Sequence, residues 1–135
     1  MYGVWLAKQT TGWCATRRNM SRIMDCLDDK CPNCLVGPER STHLNTCKDP
    51  GCTHQFNKDI DDLHQWMRKT TDPELCYWII QYLLLCGERT MLDLGKKSPA
   101  MTEIAKDLDM IGWTDVLHGR LPHSLHRYQS SYCAT

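Results

Sequence analysis

The chain has 135 residues, enough for one domain or for a small metal module joined to a helical one. Sixteen Lys and Arg balance sixteen Asp and Glu, which excludes a bulk attraction to nucleic acid or to an anionic surface and leaves only local patches. Nine cysteines are an odd set, and Met1 to Lys8 lacks both the charged start and the apolar stretch of a secretory signal. This argues against a secreted disulfide framework; an intracellular chain with reduced thiols is expected.

Charge is unevenly spread. Residues 1–24 carry +4 from Lys8, Arg17, Arg18 and Arg22 with no acid, residues 25–115 carry −6, and Arg120 and Arg127 give the remainder +2. Residues 1–25 therefore read as a basic N-terminal segment, with a break at Gly12 and a short helix from Arg17 to Met24. Residues 26–56 read as a zinc-binding module. Within it His43 and Cys47, four apart, share one face of a helical turn or two over 42–47, and Asp49-Pro50-Gly51 stops that turn.

Residues 57–135 read as a helical domain. Asn57 caps a helix to about Lys69 with an apolar stripe of Ile60, Leu63, Trp66 and Met67. Asp72-Pro73 starts a helix over 73–86 that is apolar on nearly every side, and Gly87 stops it. Such a helix is either a central core element or half of an interface. Ser98-Pro99 opens a helix over 99–110 with Met101, Ile104, Ala105 and Leu108 on one side, ended by Gly112. A last stretch starts at Asp115, breaks at Pro122 and resumes over 123–130. The apolar run Cys76 to Cys86 contains Gln81 and is too short to span a bilayer. With no internal repeat and no alternating strand, the expected fold is mostly α: a small zinc-knuckle-like module followed by three or four helices.

Cys31-Pro32-Asn33-Cys34, His43 and Cys47 give the spacing Cys-x2-Cys-x8-His-x3-Cys, four ligands suited to tetrahedral zinc. All four positions are filled by protein, so no water remains to be activated and the Zn2+ is structural. Cys52 is the substitute for His43, giving an all-cysteine set, and Cys26, Cys52 and His54 are candidates for a second, partial site. Cys14, Cys76, Cys86 and Cys133 are expected to be small buried hydrophobes. His118, His123 and His126 read as surface histidines, His64 as solvated or packed beside Trp66, and the Asp28-Asp29 and Asp61-Asp62 pairs as solvated acids. No deaminase pattern, Walker loop, G-x-S-x-G or Rossmann fingerprint is present, so no enzyme activity is expected.

The string Cys31-Pro32-x-Cys34, Glu39-x-x-x-His43-Leu44, Cys47 resembles the zinc-binding segment downstream of the polymerase domain in non-LTR-type reverse transcriptases. Trp5-Leu6-Ala7-Lys8-Gln9 with Thr16-Arg17-Arg18 upstream, and Trp66, Asp72-Pro73-Glu74-Leu75, Ile111-Gly112-Trp113, Gly119-Arg120 and Gln129 downstream, are similar to retroelement-derived proteins of unicellular eukaryotes. The resemblance implies the tail or remnant of a polyprotein whose polymerase part would be a partner, and a role in engaging RNA or DNA template. The polymerase motif itself is absent. For such contact the candidates are Arg17, Arg18, Arg22 and Lys30, in a basic stripe reaching Lys30, Arg40 or Lys48. The alternative is a zinc-stapled interaction or dimerisation module that pairs through an exposed side of the helix bearing Tyr77, Trp78 and Leu84.

Overall fold

A computed structural model of the chain describes residues 15–25 and 27–135. The expectations for Lys8, Gly12, Cys14 and Cys26 fall outside the described residues. Among the described residues there are seven α-helices, one 3-10 turn and no strand, only an isolated antiparallel bridge between Lys30 and Pro38. The chain divides into two compact units, Met1–Phe56 and Asn57–Thr135.

In the first unit, α1 (Arg17–Ser21) begins where the Thr16 hydroxyl accepts the Asn19 N–H. This is the N-cap role to which a short side-chain oxygen is suited. The helix is shorter than the expected 17–24, although Ile23 and Met24 still donate backbone N–H groups to the Met20 carbonyl. Glu39 anchors its start. The Glu39 carboxylate accepts the Arg17 N–H at 2.6 Å, and the Glu39 N–H donates to the Asp29 carbonyl at 2.8 Å. After the Lys30–Pro38 bridge comes α2 (Ser41–Leu44), then α3 (Pro50–Thr70).

The start of α3 corrects the sequence reading. Asp49-Pro50-Gly51 is not a stop, and Asn57 lies inside the helix rather than at its cap. The Asp49 carboxylate accepts the N–H groups of Gly51 at 3.0 Å and Cys52 at 3.2 Å, while proline at the first helical position needs no N–H partner. Asp-Pro thus opens a helix here, as it does at Asp72-Pro73.

The second unit is built around α5. Helix α4 (Pro73–Leu84) is capped by the Asp72 carboxylate, which accepts the Glu74 and Leu75 N–H groups, both at 3.0 Å. It buries Leu75, Cys76, Ile79, Ile80, Tyr82 and Leu83. Cys86 and Gly87 then turn the chain at φ 51° and 77°. The Trp113 ring lies against Gly87 and its indole N–H donates to the Leu83 carbonyl at 3.2 Å.

Helix α5 (Pro99–Ile111), capped by Ser98, packs its Met101, Ile104, Ala105 and Leu108 stripe inward. It lies against the 3-10 turn Leu92–Leu94, α6 (Trp113–Leu117) and α7 (His123–Cys133), while α4 lies against α6. Gly112, at φ 91°, makes the sharp change of direction between α5 and α6. Among the cysteines expected to be buried, Cys76 is, Cys86 is half-buried, and Cys133 is exposed because it ends α7. No helix among the described residues is long and apolar enough to cross a membrane.

Candidate metal centre and adjoining basic cleft

The Cys-Pro-Asn-Cys turn is closed by short-range backbone bonds. The Cys31 N–H donates to the Gly37 carbonyl at 2.8 Å, and the Leu35 N–H donates to the Cys31 carbonyl at 2.9 Å. Leu35 takes a left-handed conformation at φ 58°, which costs a β-carbon-bearing residue about 1 kcal/mol. The turn thereby aims both cysteine side chains to one side. From the other direction, α2 presents His43, and the turn that follows it at Asn45 and Thr46 presents Cys47.

The ligand atoms of Cys31, Cys34, His43 and Cys47 all lie within 4.8 Å of one another. Sγ of Cys31 and Sγ of Cys47 are 3.8 Å apart, and Sγ of Cys34 is 3.3 Å from Nε2 of His43. Tetrahedral zinc with ordinary bond lengths places two sulfurs about 3.8 Å apart and sulfur and nitrogen about 3.5 Å apart. The four side chains therefore form a group that could hold a metal ion, and their spacing fits zinc. Cys31 and Cys47 are buried, whereas Cys34 and His43 are partly open to solvent.

Electrostatics within the quartet are asymmetric. The Val36 N–H, two residues on, pulls the Cys34 thiol down to about 6; burial opposes this, and His43, Cys31 and Cys47 reinforce it. The Asp49 N–H does the same service for Cys47, but burial and the neighbouring Cys31, Cys34 and Cys52 side chains outweigh it and push that thiol up to about 12. Cys34 therefore gives up its proton more readily than Cys47. Both N–H groups remain in place to neutralise sulfur charge when a cation draws off the protons.

Cys52 sits in the first turn of α3, where the Asn33 amide donates to its sulfur at 3.2 Å. It touches the quartet through Cys47 and lies outside the group of four. His54 is exposed and belongs to no metal-binding group among the described residues. His123 and His126 have ring centroids 6.0 Å apart on α7, also without a third ligand among those residues.

A cleft of about 410 Å³ opens beside α1 and α2, with Arg18, Arg22 and Arg40 on its walls together with Ser41 and Thr42. Two candidate basic residues lie elsewhere. Arg17 pairs with Asp28 at 3.7 Å, and Lys30 is exposed at the bridge. Asp28 and Asp29 are consequently not the bare solvated acids the sequence suggests, since Asp29 holds Arg18 at 3.3 Å. Arg22 and Arg40 make no ion pair among the described residues. Sequence reasoning named Arg18, Arg22 and Arg40 for one basic stripe but missed the role of Glu39 in holding the start of α1, for which its place directly before Arg40, Ser41 and Thr42 was the one signal.

Compared with known protein families, curated proteins and solved structures, the chain gives no match.

Proposed function

We propose that the chain is a zinc-stabilised accessory module that contacts nucleic acid and acts by binding rather than catalysis. The fit of the three-cysteine, one-histidine quartet to tetrahedral spacing carries this reading. Soft thiolate ligands favour zinc over hard cations, and four protein ligands leave no open position for a reacting water. The Arg18, Arg22 and Arg40 cleft beside the quartet supports the contact with phosphate. Arg17 and Lys30 add positive charge nearby, partly offset by Asp28 and Asp29. The resemblance to the tail of a retroelement reverse transcriptase supplies RNA or DNA template as the nucleic acid, with the polymerase part of a parent polyprotein as partner. Thiolate ligands retain zinc in a reducing compartment, which favours an intracellular site of action.

The test has two parts. Metal analysis of the purified chain should give one zinc per chain. Binding of a fluorescent single-stranded oligonucleotide should weaken with salt, with a log–log slope of about −2 for three phosphate contacts. Salt-independent binding, or none, would refute the nucleic-acid role.

A zinc-stapled protein-interaction module is the second reading, favoured by the 54 % and 43 % exposure of the apolar Tyr77 and Leu84 on α4. Sedimentation at high concentration separates it from the first: self-association abolished by Tyr77→Ser would favour pairing through this helix.

A further inference from the structure

The basic cleft and the quartet share a wall. Arg40, Ser41 and Thr42 line the cleft, and His43, the next residue of the same short helix, brings Nε2 into the quartet. The facing wall, α1 with Arg18 and Arg22, hangs from the same loop. Glu39 holds the Arg17 N–H, the Glu39 N–H is held by Asp29, and the Asp29 carboxylate holds the Arg18 guanidinium. Both walls are therefore fixed by the stretch between Asp29 and His43, most of which lies within the Cys31–Cys47 span that the four ligands close.

Helix α2 cannot hold this arrangement alone. It has four residues and no side-chain cap at Arg40, and one turn of helix does not offset its own nucleation cost in water. Its conformation must come from what holds its two ends, the Glu39 bonds to α1 just before Arg40 and the quartet at His43.

We propose that phosphate binding in the cleft and metal binding in the quartet are coupled, each raising the affinity of the other. The inference rests on the proposed nucleic-acid role and adds its regulation: the module grips a strand tightly only when metal-loaded. The ligand is the phosphodiester backbone. Three arginines and three hydroxyl-bearing residues, Thr16, Ser41 and Thr42, line the cleft, and no aromatic side chain lines it for a base to stack upon. Such contacts position a strand without reading its sequence. Linkage requires the coupling factor to be the same in both directions.

The experiment measures zinc affinity of the full chain by competition with a chromophoric chelator, with and without saturating short oligothymidylate. Thymidine is chosen because its base offers zinc little at neutral pH. Oligothymidylate should tighten zinc binding about tenfold, within the ordinary range of coupling between sites. Fluorescence anisotropy should show the metal-loaded chain binding the strand more tightly than the metal-free chain by the same factor. In the Arg22→Gln, Arg40→Gln double variant the tightening should vanish. Arg22→Gln alone, at the exposed C-cap of α1, should lose part of it, which guards against misfolding of the double variant. Strand binding with unchanged zinc affinity would overturn the coupling and leave the nucleic-acid role standing. No strand binding at all would overturn both.

Discussion

His43→Ala removes the single nitrogen from a quartet whose ligand atoms lie within 4.8 Å of one another. Structural zinc in small modules is bound with an apparent ~10–16 kcal/mol at neutral pH. An even share among four ligands gives about 3 kcal/mol for the imidazole, and at 1.4 kcal/mol per tenfold the variant should bind zinc about 100-fold more weakly. The loss has a built-in limit, because Cys52 touches Cys47 and is partly accessible. Its recruitment as a fourth thiolate would recover part of the affinity. The variant should therefore be compared with Cys52→Ser and with His43→Ala, Cys52→Ser, each by chelator competition and metal analysis after dialysis. The expected order is full affinity in Cys52→Ser, reduced affinity in His43→Ala, and the greatest loss in the double variant. Unchanged zinc affinity in His43→Ala, with the loss appearing instead in Cys52→Ser, would show that the ligand set is four cysteines and refute the geometric argument.

Other consequences are independent of one another. Zinc binding near pH 7.5 should release about one proton fewer in Cys47→Ser than in the native chain, since that thiol, held at about 12, is still protonated there. Cys34→Ser should leave the count nearly unchanged, since Cys34 titrates at about 6; calorimetry in buffers of different ionisation enthalpy reads both numbers. By the same sign, the lowered Cys34 value stabilises the metal-free fold above its ordinary 9.0, and that contribution disappears as pH falls through about 6. Leu108→Ala should cost about 2–5 kcal/mol in urea unfolding, because the side chain is fully buried on the inward stripe of α5; a change under 1 kcal/mol would mean that α5 is not the core helix. Asp72→Ala removes the cap of α4 and leaves the Tyr128 hydroxyl without that acceptor, for an expected loss of about 1–2 kcal/mol. Asp72→Asn, which keeps a capping oxygen, should recover most of it.

The helices were legible where apolar periodicity and caps agree. Ser98-Pro99, the Met101–Leu108 stripe and Gly112 delimit α5 without tertiary help. The start of α3 was not, because Asp49-Pro50-Gly51 satisfies turn chemistry and helix-start chemistry equally well. What decides between them is the pair of N–H bonds to the Asp49 carboxylate. Met91 was equally opaque. It sits among charged residues yet is fully buried, since the Asp109 carboxylate accepts its N–H at 2.7 Å and draws the segment inward. At the candidate site, spacing shows which side chains are near enough to meet. The cleft draws on residues more than twenty positions apart, Arg18 and Arg40, and no local pattern announces that they will face each other.

The second unit is finished by its own last helix. Gln129 on α7 accepts the Asp72 N–H across 57 positions, and Tyr128 donates to the Asp72 carboxylate. The quartet, by contrast, spans only 16 positions from Cys31 to Cys47. On a ribosome adding about 5–20 residues per second, the roughly 80 residues between Cys47 and Tyr128 take about 4–16 seconds to make. Metal can be acquired at the start of that interval. Leu75, Ile79 and Leu83 are made within that interval and wait for the later α6 that packs on α4, so the helical unit is exposed to aggregation during translation for longer than the quartet.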